Sequence, residues 1–139
     1  MPLCGVIPAL ATPLTGDDCV DRDGLRRLVR YLLGSGVHAL FANGSMGGFA
    51  FLTDDEQIRS VATVVEEARG QVPVIANVGE TGTRRAVLLA RRIASVGPDF
   101  LAVLPPLFYP IPQQHLIEFF GEVASGVTTP LVLYDNPVL

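Results

Sequence analysis

The sequence has no lysine and no tryptophan, and all ten of its basic residues are arginine. Cysteine is scarce as well. Cys4 and Cys19 fit neither a disulfide framework nor a metal-ligand spacing, so they are read as reduced thiols of a cytoplasmic protein. No metal and no cofactor is expected. Charged residues make up only 17% of the chain, against roughly 25% in a typical globular domain. The net charge is −4, and the arginines are dispersed along predicted helices, which excludes a nucleic-acid surface. No apolar run approaches the ~20 residues of a membrane span, so no membrane partner is expected. The opening Met-Pro-Leu-Cys-Gly lacks the basic start and long apolar run of a secretory signal.

What is present is apolar: 49% of the 139 residues are hydrophobic, ample for a packed core and incompatible with disorder. Five short apolar runs stand out, at Gly5–Ala11, Val37–Ala42, Pro73–Val78, Phe100–Leu104 and Leu131–Tyr134. Their hydrophobicity is continuous rather than alternating, as in parallel strands covered on both faces. Four amphipathic helix patterns lie between them. The first carries Leu25, Leu28, Val29, Leu32 and Leu33, entered at Asp21 and left at Gly34-Ser35-Gly36. The second opens on Thr53-Asp54-Asp55-Glu56, a capping box in which Thr53 and Glu56 should satisfy free amides reciprocally. The third follows Thr83 and closes at Gly97-Pro98; the fourth runs from near Pro112 to Gly126.

The runs begin roughly 30 residues apart, room for one strand, one helix and two short loops. Such βα repetition means a parallel sheet with right-handed crossovers. Two α/β architectures fit. An open doubly wound sheet suits the length, whereas a complete (β/α)₈ barrel takes about 250 residues.

In both architectures ligands bind at the carboxyl ends of the strands, and the polar residues cluster there. Thr12-Pro13 follows the first run and Asn43-Gly44-Ser45-Met46-Gly47-Gly48 the second. Gly79-Glu80-Thr81 follows the third, and Asp135-Asn136-Pro137 comes after Tyr134 at the end of the fifth. The glycines of the 43–48 loop allow close backbone approach, and successive amides in such a turn can cradle a carboxylate or phosphate. Neither a phosphate-loop pattern nor a dinucleotide glycine fingerprint is present. Glu80 reads as a solvated carboxylate at a helix start, and His38 and His115 as structural residues. Tyr134 is either a proton-relaying phenol or an amphipathic residue capping the core.

Taken in order, these fragments resemble the dihydrodipicolinate synthase/N-acetylneuraminate lyase family, the pyruvate-dependent class I aldolases. Gly5-Val6-Ile7-Pro8 through Thr12-Pro13-Leu14 is similar to the family's opening strand. Asn43–Gly48 stands at its Gly-Thr-Thr-Gly-Glu signature. Leu52-Thr53 with Glu56, Val74-Ile75-Ala76 with Gly79 and Thr81, Leu104-Pro105-Pro106 and Tyr134-Asp135-Asn136-Pro137 follow in register.

The resemblance implies a partial (β/α)₈ TIM barrel. Residues 1–139 would be its N-terminal part, the first five strands and four helices, truncated after strand five. It implies a lyase that holds a 2-keto acid such as pyruvate as a Schiff base and joins it to, or releases it from, an aldehyde. By this analogy Gly44, Ser45, Met46 and Thr12 bind substrate, and Ser45 and Tyr134 relay protons. A homo-oligomer, or association with the missing half of the barrel, is implied as well. The family's lysine belongs on a sixth strand, so this chain should be inactive alone. The alternative is a non-catalytic keto-acid-binding or assembly module built from a half barrel. Four departures bear on the reaction: Met46 replaces the signature's second threonine, Gly48 its glutamate, Leu107-Phe108 the usual tyrosine pair, and Tyr134-Asp135-Asn136-Pro137 the common Tyr-Asn-x-Pro.

Overall fold

The computed structural model describes residues 3–135. Helices and strands alternate: α1 (Arg22–Gly34), β1 (Leu40–Ala42), α2 (Asp54–Ala68), β2 (Val74–Asn77), α3 (Thr83–Ala94), β3 (Phe100–Val103), α4 (Gln113–Ser125) and β4 (Leu131–Leu133). The strands are all parallel and lie in chain order, β1-β2-β3-β4. The class is therefore α/β, built of consecutive βα units.

The first of the five apolar runs does not form a regular ladder. It lies parallel beside β1, joined by an isolated bridge between Ala9 and Phe41. Leu10 N–H donates to Phe41 O at 2.9 Å, and Phe41 N–H donates to Pro8 O at 3.0 Å. Pro8 has no proton to return, and a proline inside a strand breaks the repeat of ladder bonds. Four of the five expected strands are thus regular, and the first is a bridged extended segment.

The helices begin close to where the sequence places them. The Asp21 carboxylate caps α1 by accepting the Gly24 N–H at 2.9 Å. At α2 only half of the expected capping box forms. Thr53 Oγ1 accepts the Glu56 N–H at 3.3 Å, but Glu56 turns away and accepts the buried Val20 N–H at 2.6 Å. A carboxylate gains more from a desolvated donor than from a solvent-facing one. Glu56 thereby ties the approach to α1 onto the start of α2.

One sheet face packs under the helices. Leu40, Ala42, Val74, Ala76, Val78, Leu101 and Val103 meet Leu25, Val29, Val61, Val64, Leu89, Ile93 and Phe119 in a single core. The opposite face carries Phe41, Ile75, Asn77 and Ala102, and every residue of β2 is buried. Two-sided burial accounts for the continuous hydrophobicity of β2 and β3, whereas the first run is largely exposed and β4 only partly covered.

The sparse charge is concentrated in cross-helix pairs. Arg30 on α1 grips Glu67 on α2 through two bonds, 2.7 and 3.2 Å, and Arg22 meets Glu66 at 3.0 Å. The hydrogen bond from Arg30 holds the Glu67 carboxyl below the usual carboxylate range. Arg92 on α3 pairs with Asp54 and Asp55 at the start of α2.

The sheet is curled. β1 and β4 occupy its opposite edges, which in a flat sheet would stand ~14 Å apart at 4.8 Å per strand. Yet the Phe41 and Tyr134 rings meet edge to face, with centroids 5.7 Å apart. Side chains from the two edges touch only if the sheet wraps toward a barrel interior. Among the described residues no strand follows β4: Leu116, Ile117, Phe120, Leu133 and Tyr134 line a groove of about 530 Å³, and Leu133 is 62% exposed.

Candidate functional site

The chain leaves β1 through a residue in the left-handed region, Asn43, with φ +56°. Asparagine tolerates that conformation better than most residues. Its side chain is buried, and Nδ2 donates to the Gln57 carbonyl oxygen on α2 at 2.9 Å. Ser45–Gly47 then makes one 3₁₀ turn, closed by Gly47 N–H to Gly44 O at 2.9 Å and Gly48 N–H to Ser45 O at 3.1 Å. Gly48, at φ +65°, reverses the chain into a second short turn. The N–H groups that open a helical turn have no acceptor within it, so those of Ser45 and Met46 are available to a ligand.

Close packing brings the first run to this loop. A Cβ at Gly47 would lie 3.0 Å from the Leu10 carbonyl oxygen and 3.2 Å from Thr12 Oγ1. A side chain at Gly47 would crowd both atoms, so glycine favours this close approach of the loop to the Thr12 hydroxyl. Phe41 joins the loop to the fifth run. A Cβ at Gly44 would lie 3.0 Å from the Phe41 ring, and the same ring meets Tyr134 edge to face. Tyr134 is half-buried, and its N–H is fixed by Val103 O at 2.9 Å.

Thr12, Gly44, Ser45, Met46 and Tyr134 are therefore gathered at the carboxyl end of the sheet. Ser45 and Met46 are exposed, while Gly44 is buried in the floor. Asn136-Pro137, part of the motif after Tyr134, lie outside the described residues.

Several residues of this end were not singled out in the sequence. Phe41 is the hub just described; an aromatic on the inward parity of a strand next to the loop was the available signal. Asn77 is fully buried on the inner face. Its Oδ1 accepts the Gly79 N–H at 3.2 Å, and its Nδ2 has no partner among the described residues.

Glu80 departs from the solvated carboxylate expected of it. It is 8% exposed and receives Arg85 through two bonds, 2.9 and 3.0 Å. These hold its carboxyl below the ordinary range, with the Thr81 N–H assisting. The departure arises because Arg85, one turn into α3, folds back over the loop. Glu80, Gln57, Phe49, Leu52, Gly79 and Phe108 line an adjoining cavity of about 240 Å³. His38 is structural: its Nδ1 accepts the Val6 N–H at 3.0 Å.

A curled parallel βα sheet with its polar loops gathered at the strand carboxyl ends is the architecture of half a (β/α)₈ barrel. Comparison with known proteins gives it a family. A model of the dihydrodipicolinate synthetase family matches residues 2–139, and the chain belongs to that family. It is 38% identical over 135 residues to an uncharacterized DapA-like lyase of Halobacterium salinarum, covering 97% of this chain and 44% of that protein. Over 134 residues it is 39% identical to the 4-hydroxy-tetrahydrodipicolinate synthase of Methanopyrus kandleri, covering 96% and 45%.

Among solved structures, dihydrodipicolinate synthase from Aquifex aeolicus superposes with a TM-score of 0.92 at 32% identity, over 96% of this chain and 45% of that one. The prophage protein YagE of E. coli K12, solved in complex with pyruvate, gives 0.93 at 32% identity, over 97% and 45%. The chain thus spans about half the length of the curated relatives it matches, and its sheet and helices match the N-terminal half of their barrel. Among the described residues no helix is long and apolar enough to cross a membrane.

Proposed function

We propose that residues 1–139 are the keto-acid-binding, N-terminal part of a TIM-barrel lyase that works through a Schiff base in the cytoplasm. The observation that carries this reading is the gathering of Thr12, the 44–48 loop and Tyr134 at one rim, in a fold shared with a pyruvate-bound relative. The substrate is pyruvate or another 2-keto acid, with an aldehyde as partner. Its carboxylate sits against Gly44, the Ser45 hydroxyl and the Met46 amide, with Thr12 beneath. Hydrogen bonds to an ionised carboxylate are about twice as strong as neutral ones, so one hydroxyl and backbone amides suffice to hold it. Met46 contributes only its backbone, its position having no hydroxyl.

Tyr134 is the proton-transfer group, with Ser45 as the other member of the relay. Its ring packs edge to face against Phe41 at the rim of the site. General acid–base catalysis requires the phenol to come within hydrogen-bond reach of the proton it transfers. The imine itself needs an amine. No lysine occurs in the 139 residues, so the nucleophile comes from the complementary half of the barrel, which would close against the open β4 edge.

Self-association fits the same rim. Phe108 sits at φ +84° and Phe51 and Phe108 are each 91% exposed. A non-glycine residue in that region costs about 1–3 kcal/mol and is kept where surroundings or a partner justify it. The absent lysine also favours a second reading, a keto-acid-binding module without chemistry.

Borohydride reduction with excess pyruvate tests the proposal by intact mass and peptide mapping. The chain alone should gain no pyruvyl mass apart from any on the Met1 α-amine. Together with a complementary half carrying a lysine, the label should appear on that lysine. An internal adduct on this chain alone would refute the proposal. Binding without any adduct on the assembled pair would favour the second reading.

A further inference from the structure

We infer that Asn43 is the positioning residue of the keto-acid loop: it sets the conformation in which Ser45 and Met46 present their donors. The inference rests on reading the 44–48 loop as the carboxylate-holding element. Three features of Asn43 converge. It is the hinge at which the chain leaves β1, and its φ of +56° is a conformation other L-residues adopt at a cost. It is 1% exposed, so its side chain is wholly inside the protein. Its Nδ2 reaches fourteen residues along the sequence to the Gln57 carbonyl, 2.9 Å away, a main-chain oxygen already inside α2. That oxygen has a second lone pair free to accept it.

The consequence is a rigid connection between loop and helix. The two bonds within the loop, Gly47 to Gly44 and Gly48 to Ser45, close the turn on itself but do not orient it against the barrel. Gly44 and Gly47 pack against Phe41, Leu10 and Thr12 without a side-chain hydrogen bond. Asn43 supplies the polar anchor, because its backbone aims the turn and its amide fastens that aim to α2. Its own Oδ1 is buried and has no partner among the described residues. The side chain therefore holds its place through the donor rather than through a network. Asn43 touches no reacting atom; it acts through Ser45 and Met46.

The test uses the ¹⁵N-labelled chain and three substitutions. Asn43→Gly keeps the left-handed backbone and removes the tether. Asn43→Asp keeps the shape and the backbone tolerance but has no proton to donate. Gln57→Ala removes the neighbouring side chain and leaves the accepting main-chain oxygen in place. Exchange of the Gly47 and Gly48 amides with solvent should accelerate by about tenfold in both Asn43 variants, the effect of losing one internal hydrogen bond, and remain unchanged in Gln57→Ala. The pyruvate concentration that half-saturates the chemical shifts of Ser45 and Met46 should rise in parallel, while melting remains cooperative.

Two results overturn the inference: unchanged exchange in both Asn43 variants, or equal acceleration in Gln57→Ala. If the wild-type loop shows no pyruvate-dependent shift at all, the keto-acid reading fails, and the exchange rates still decide the role of Asn43.

Discussion

Gly47→Ala is the sharpest probe of how the site is assembled. The added Cβ would sit 3.0 Å from the Leu10 carbonyl oxygen and 3.2 Å from Thr12 Oγ1. Those neighbours differ in what they can give. Thr12 Oγ1 can rotate away, but Leu10 is 2% exposed and its N–H is bonded to Phe41 O at 2.9 Å. Its carbonyl belongs to an anchored backbone, so the loop must move instead. Overpacking of this kind costs about 1–3 kcal/mol. At about 2.1 cal/mol/K of unfolding entropy per residue, a chain of this size should melt roughly 3–10 °C lower.

Gly34→Ala is the matched control. It adds the same methyl group at the end of α1, where nothing lies within 4 Å, and should leave the chain as stable or slightly more so, by about 0.4–1 kcal/mol. Differential scanning calorimetry reads both. Equal melting temperatures for wild type and Gly47→Ala would refute the argument that the first run and the loop are held in contact by the missing side chain.

Two further outcomes are expected. Glu80 has its carboxyl lowered chiefly by Arg85, so its contribution to stability is complete above the ordinary carboxylate pKa. It is lost as pH falls through the lowered native value, and Glu80→Gln should flatten the acid limb of a urea-midpoint-versus-pH plot. A variant whose acid limb matches wild type would show that the pair contributes nothing. Leu101→Ala, at a fully buried position where β3 packs under the helices, should cost about 2–5 kcal/mol in urea denaturation; a loss below 1 kcal/mol would mean that this core is not packed as described.

The sequence made the βα rhythm legible because local signals and packing agree. Asp21 caps α1 as expected, and the continuous hydrophobicity of the central runs reflects burial of β2 and most of β3. It was ambiguous where a local signal had a tertiary competitor. Glu56 had the spacing for a reciprocal cap, yet Val20 offered a desolvated donor from 36 residues away. Glu80 had the look of a solvated helix-start carboxylate, and an arginine five residues on folded over it. Pro8 in the first run was visible, but its effect on the ladder depends on which neighbour needs the missing proton. Open sheet and barrel could not be separated by periodicity, since both use the same repeat. Curvature is not written in that repeat; it shows in the contact between Phe41 and Tyr134, two residues more than ninety positions apart along the chain.

That contact has a mechanical meaning. A parallel sheet twists because its strands are handed, and in a complete barrel strand tilt and ring closure fix the bend. Among the described residues the aromatic pair bridges the hollow between the two edges of the sheet. Removing that bridge by Phe41→Ala should let the concave face relax, shifting Tyr134 relative to the 44–48 loop even though neither had been altered. The spacing between the 44–48 loop and Tyr134 would then follow from a hydrocarbon ring packed against both.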